Sequence, residues 1–211
     1  MDDSAQPLPS DFADVTDEAV FERFLDGDLA AYRTLIERHH DDLLRFLTRL
    51  VGERAGAEDV FQDTFLQIHQ SAHTFDTSRR FRPWLFTIAA NKGRDWLRKK
   101  NRHRAVELSA PIGGPGGTTS FVDLLEVDVP SPDAAMDASE QDVLVQRALA
   151  RLQPTLREIL LLSYFQRLSY QQIADDLGIP LGTVKSRMHS AVASFARAWQ
   201  ATTREQSGRS D

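Results

Sequence analysis

Apolar residues recur at helical spacing along most of this chain. Tyr32, Leu35, Ile36, Leu43, Leu47 and Leu50 fall on one helical face, and Val60, Phe61, Thr64, Phe65 and Ile68 form a second such set. A third helix is predicted to begin near Pro83, since proline suits the first turn, and to bury Trp84, Leu85, Ile88, Ala89 and Trp96. Arg94 and Arg98 share another face of that helix. From Leu108 the periodicity gives way to a Pro-Ile-Gly-Gly-Pro-Gly-Gly-Thr-Thr-Ser run followed by acids, which reads as a linker. Helical spacing resumes near Glu140 through Val143, Leu144, Ala148 and Leu152, and Pro154 opens a further helix with Leu156, Ile159, Leu160 and Leu162. No stretch alternates as a strand. The expected fold is all-α, with two small helical domains joined by a flexible linker.

The end of the chain carries a more specific pattern. Ser169 is a natural N-cap for Tyr170 to Leu177, in which Ile173, Ala174 and Leu177 share a face, and Gly178 ends the helix. Thr183 is read as the cap of a second helix running to Val192, with Val184, Met188, Ala191 and Val192 inward. Two short helices about a tight glycine turn make a helix-turn-helix. Its second helix offers Thr183, Lys185, Ser186, Arg187, His189 and Ser190 to phosphates or base edges, and Arg187 suits the paired acceptors of guanine.

Charge sharpens the picture. The net charge is −6, which opposes nucleic-acid binding only if it is evenly spread. Between Arg79 and Arg104 there are ten basic residues against the single acid Asp95, while the compensating acids lie in the first 28 residues and between Ala105 and Asp142. Screening confines each charge to about 8–10 Å, so the basic block attracts phosphate whatever the total. The flanking acids are expected to oppose duplex DNA in the free chain. Cysteine is absent, excluding internal disulfides and thiolate metal sites. His69 and His73 stand four apart without a third ligand in view, so a surface or core-edge role is expected, with no metal and no cofactor. No Ser/His/Asp set is recognisable, and no enzyme activity is expected. The acidic N-terminus does not read as a secretory signal, and no apolar run approaches about 18 residues. A cytoplasmic protein without membrane insertion is expected.

Leu152 to Leu162, Leu168-Ser169-Tyr170 and Gly182 to Arg187 together resemble the fourth region of bacterial RNA polymerase sigma factors. Gly56 to Phe65 resembles the polymerase-binding helix of the second region, and Phe81 to Asn91 with Asp95 to Arg98 resembles its promoter-melting part. Both matches stand in the family's order, so the chain resembles the compact extracytoplasmic-function (ECF) sigma factors. The resemblance implies that Glu58, Asp59, Gln62, Asp63 and Leu66 face the clamp helices of the beta-prime subunit of core RNA polymerase. It implies that Arg79, Arg80, Arg82, Asn91, Arg94, Arg98 and Lys99 hold the opened minus-ten strand. Thr183, Lys185, Ser186, Arg187, His189 and Ser190 would read the minus-thirty-five element, with the same domain docked on the beta flap. An anti-sigma partner is expected because many relatives are held inactive by one. Where the family typically has an acid before Ala57 this chain has Gly56, read as a permitted but less specific helix cap. The domains are placed at 1–27 (acidic segment), 28–104 (region 2), 105–138 (linker), 139–201 (region 4) and 202–211 (tail). A DNA-binding regulator that works without polymerase is the competing reading.

Overall fold

The computed structural model describes residues 12, 14–107 and 138–207. Among them the regular elements are helices, in two units: α1 (Asp17–Leu25), α2 (Leu29–Val51), α3 (Arg54–Ser71) and α4 (Phe81–Glu107), then α5 (Ala138–Ala150), α6 (Pro154–Gln166), α7 (Tyr170–Leu177) and α8 (Leu181–Ser207). Most of the predicted linker, residues 108–137, lies outside the described residues. No described helix is long and apolar enough to cross a membrane.

The first unit starts upstream of residue 28. Thr16 caps α1, its hydroxyl accepting from the Ala19 N–H at 3.4 Å, and Asp17 and Glu18 place acids in the first turn. Val20, Phe21 and Phe24 are thereby turned into the core. Phe21 is fully buried, with ring centroids 5.1 Å from Phe75 and Phe81, 5.6 Å from Phe24 and 5.7 Å from Trp84. Two acids at the start of α1, Asp17 and Glu18, serve packing. Asp17 accepts from Arg38 Nη1 at 2.8 Å and pairs with His39 Nε2 at 2.9 Å. Burial pushes the Asp17 carboxyl up, but the bonds from His39 and Arg38 outweigh it and leave the group below the usual carboxylate range. Glu18 Oε1 accepts the Phe81 N–H at 2.9 Å, satisfying one of the open donors in the first turn of α4.

Gly56 is not a cap. The N-cap of α3 is Glu53, and Gly56 lies buried inside the first turn against the Trp96 indole of α4. A Cβ on Gly56 would come within 2.8 Å of Cη2 and 2.9 Å of Cε2 of that ring. Lys100 lies over the same indole, its Nζ 4.8 Å from the ring centroid and bonded to Glu53. Gly56→Ala is therefore expected to destabilise the protein. The gain in helix propensity is at most about 1 kcal/mol, whereas overpacking costs about 1–3 kcal/mol. A lowered urea midpoint with unchanged slope checks this.

In the second unit the helix-turn-helix forms as its residues suggest. Ser169 and Gln172 complete a capping box, with Ser169 Oγ accepting the Gln172 N–H at 3.3 Å and Gln172 Oε1 accepting the Ser169 N–H at 2.9 Å. Gly178, at φ +62°, closes α7 with the paired bonds Ile179 N–H to Ala174 O and Gly178 N–H to Asp175 O. The next helix differs from expectation at both ends. It starts at Leu181, so Thr183 sits within its first turn rather than capping it. It also continues through residues expected to be tail, where Thr202 is buried and Glu205 pairs with Arg151 at 2.7 Å.

The two units touch. The α5–α6 corner rests on the C-terminal end of α2 and on α4, and α7 reaches α4 as well. Arg157, only 7% exposed, lies at the centre. Its guanidinium donates to Leu149 O, Ala150 O and Leu152 O at the end of α5, and to Leu50 O near the end of α2. It satisfies carbonyls that helix ends leave open.

Candidate functional site

Three polar surfaces carry the predicted site residues. On α3, the face opposite the buried Val60, Thr64, Phe65 and Ile68 presents Glu58, Asp59, Gln62, Asp63 and Leu66 to solvent. Leu66 is 56% exposed, which is unusual for leucine on a helix with a core side, and it continues the Asp59–Gln62–Asp63 stripe by one turn. Glu58 is occupied by Arg54, 2.9 Å away on the same helix. Asp59, Gln62 and Asp63 also line a shallow cleft with Trp96, Lys99 and Lys100 of α4.

The second surface is the loop before α4 and that helix's basic side. Asp76 Oδ1 accepts from the Ser78 N–H at 3.0 Å and its hydroxyl at 2.7 Å, and Asp76 O accepts the Arg79 N–H at 2.9 Å. The hydrogen bonds from Ser78 hold the Asp76 carboxyl below its usual range. This local turn leaves Arg79 and Arg80 exposed. Arg82 is committed to structure, pairing with Asp42 at 2.9 Å and lying over the Phe86 ring at 5.0 Å. Farther along, Asn91, Arg98 and Lys99 are exposed, though Arg98 touches Asp95 at 3.2 Å and Asn91 Oδ1 accepts from Arg94 Nη2 at 3.1 Å. Arg94 turns toward the second unit, where Nε is 3.2 Å from both carboxylate oxygens of Glu158 and Nη2 also bonds Oε1. Among the described residues the buried acidic partner of this block is Glu158, and Asp17 and Glu18 line a shallow cleft with Arg80 and Arg82.

The third surface is the start of α8. Lys185, Ser186 and Ser190 are exposed, while Thr183, Arg187 and His189 are half-buried. Ser186 Oγ donates to Thr183 O at 3.1 Å, so part of its bonding capacity is used along the helix. The described residues hold no cluster of three or more ligand-type side chains, and the His69 ring lies against Phe24 and Tyr32. Trp84 and Trp96 are half-buried packing residues, Trp84 with its centroid 4.6 Å from Phe75 and Trp96 on Gly56. Sequence reasoning did not find Arg157 or Glu158 as junction residues.

Comparison with known proteins fixes the family. A family model for Sigma-70 region 2 matches residues 35–103, and one for Sigma-70 region 4 matches residues 142–194. The ECF RNA polymerase sigma factor SigW of Bacillus subtilis is 31% identical over 163 residues, covering 77% of this chain and 86% of the relative. SigL of Mycobacterium tuberculosis, another ECF sigma factor, is 37% identical over 167 residues, covering 79% of this chain and 87% of its own length. The chain belongs to the ECF family of RNA polymerase sigma factors. It is thus a transcription initiation factor, and its curated relatives are sigma factors rather than enzymes. The fold of this sigma factor is shared with CnrH, solved in complex with the cytosolic domain of CnrY, at TM-score 0.60 and 24% identity over 88% of this chain and 97% of that one. It is shared too with RpoE of Bartonella quintana, solved with the anti-sigma factor NepR, at TM-score 0.56 and 23% identity over 80% and 98%.

Proposed function

We propose that this sigma factor binds core RNA polymerase through the exposed face of α3, with its C-terminal domain docked on the beta flap, and directs promoter-specific initiation. The observation that carries the reading is the Asp59–Gln62–Asp63–Leu66 stripe. It is an acidic strip with one exposed leucine, backed by a buried apolar core and followed in the same chain by a basic surface and a helix-turn-helix. Glu58 borders the strip. Arg79, Arg80, Arg82, Asn91, Arg94, Arg98 and Lys99 would hold the opened minus-ten strand, the cations on phosphate and Asn91 on a base edge or phosphate. Thr183, Lys185, Ser186, Arg187, His189 and Ser190 would enter the major groove of the minus-thirty-five element. A cytoplasmic site of action and control by an anti-sigma protein follow from the same reading.

Run-off transcription by purified core polymerase on genomic fragments, with and without this chain, tests the proposal. Discrete new start sites are the expected result. Specific duplex binding by the chain alone, with no new transcripts, would favour a regulator independent of polymerase. Within the same assay Arg187→Ala is expected to leave core binding intact and lower promoter occupancy roughly tenfold to a hundredfold, since one bidentate guanine contact is worth about 1–3 kcal/mol.

A further inference from the structure

The turn that leads into the helix-turn-helix carries the only non-glycine residue with a positive φ among the described residues. Arg167 ends α6 at φ +49° and ψ +31°, in the left-handed region. There the Cβ of an L residue crowds the following carbonyl, so helix ends of this geometry favour glycine. The chain follows that rule at two other helix ends: Gly52 closes α2 at φ +92° and Gly178 closes α7 at φ +62°. At the end of α6 an arginine stands instead, and no intramolecular bond accounts for it. Arg167 is exposed, and among the described residues nothing bonds or pairs with its guanidinium.

The surrounding residues indicate what a cation does at this point. Arg167 is the only basic residue between Arg157 and Lys185, and Arg157 is buried. α7 offers Tyr170, Gln171 and Gln172 followed by Asp175 and Asp176, and so has no positive charge of its own. In a helix-turn-helix on duplex DNA the first helix crosses the phosphate backbone while the second enters the groove. Here α7 is that first helix, and Arg167 stands just ahead of its N-cap Ser169. Ser169 and Gln172 bond each other in the capping box, which leaves Arg167 as the charged donor at this end of the motif. A planar guanidinium matches two oxygens of one phosphate. We infer that Arg167 is a phosphate anchor of the helix-turn-helix, holding the promoter backbone beside the minus-thirty-five element while α8 reads the groove; this rests on the function proposed above. Such a contact fixes register and adds affinity without reading sequence. It is supplied from the α6–α7 turn, outside the Thr183 to Ser190 set, because the helix that crosses the backbone carries no cation.

Arg167→Gly removes the cation and the backbone strain together, whereas Arg167→Lys keeps both. Urea unfolding of the full chain is expected to place the Arg167→Gly midpoint at or above that of the parent; a lower midpoint would make Arg167 a structural residue and overturn the anchor. Each chain is then assembled with saturating core polymerase and titrated against a promoter fragment from the run-off assay, between about 50 and 200 mM salt. Arg167→Gly is expected to bind more weakly, with the slope of log affinity against log salt shallower by about 0.9, so that its deficit widens roughly threefold toward low salt. Arg167→Lys is expected to restore the parental slope. On a fragment with an altered minus-thirty-five element the Arg167→Gly deficit is expected to be the same, whereas Arg187→Ala, which loses a base contact, discriminates less between the two fragments. An unchanged slope, a shallow slope kept by Arg167→Lys, or a deficit that depends on the element's sequence would overturn the anchor. So would a loss confined to assembly with core polymerase, which would mark an acidic protein surface as the target. Should the parental holoenzyme itself bind no promoter, the proposed function fails and the anchor with it; parental binding beside an unchanged Arg167→Gly slope overturns the anchor alone.

Discussion

Asp63→Lys is expected to weaken assembly with core RNA polymerase about a hundredfold or more while leaving the fold unchanged. Asp63 is exposed on α3, on the side away from Val60, Thr64 and Ile68. Substitutions at such positions usually change stability by no more than about 0.5 kcal/mol. At an interface the result is different. An acidic strip selects a basic partner, and a like-charge juxtaposition costs several kcal/mol, each 1.4 of which is about tenfold in affinity. Titrating the fluorescently labelled chain with core enzyme measures the loss, and thermal melting of the free chain supplies the control. Affinity equal to that of the unaltered chain would remove α3 from the polymerase contact.

Phe21→Ala is expected to destabilise the first unit by about 3–5 kcal/mol, the usual cost of emptying a buried phenylalanine site. The ring is fully buried and touches four other aromatic rings drawn from α1, α4 and the connection before α4, so little of the cavity can collapse. The neighbouring acids make a useful comparison: Glu22 is exposed on the same helix, and Glu22→Ala should fall within about 0.5 kcal/mol of the parent. Urea unfolding of both variants decides the matter. A loss below 1 kcal/mol for Phe21→Ala would mean that the helix is an appendage to the domain rather than part of its core.

Expectation and structure parted most clearly at this helix, although its signals were visible. Thr16 as a cap, Asp17 and Glu18 in the first turn, and Val20, Phe21 and Phe24 on one face all follow ordinary helix rules. The acidic composition of the first 28 residues hides them, because the charge belongs to a segment whose short apolar stripe determines its place. Gly56 departs from expectation for another reason. As a residue it looks like a weak cap, and only the arrival of Trp96, forty positions later, shows that the missing Cβ is what lets α3 and α4 close together.

By itself the sequence determined the all-α class, the helix-turn-helix and the membership of the family, since these depend on local patterns: 3.6-residue periodicity, the Ser169–Gln172 cap, the glycine at 178 and short contiguous motifs. It also determined which side of α3 is wet, because amphipathicity is read within one helix. What only the tertiary structure decided is how surfaces from different elements share partners. Arg157 and Glu158 are neighbours in the chain and read as ordinary polar positions between Leu156 and Ile159. One became a buried clasp on the ends of two helices and the other the acid facing Arg94, because open carbonyls at helix ends and a guanidinium from a distant helix leave no mark in the local sequence. Burial then makes the pairing consequential, since a charge withdrawn from water must find its counterion in whatever the fold brings beside it.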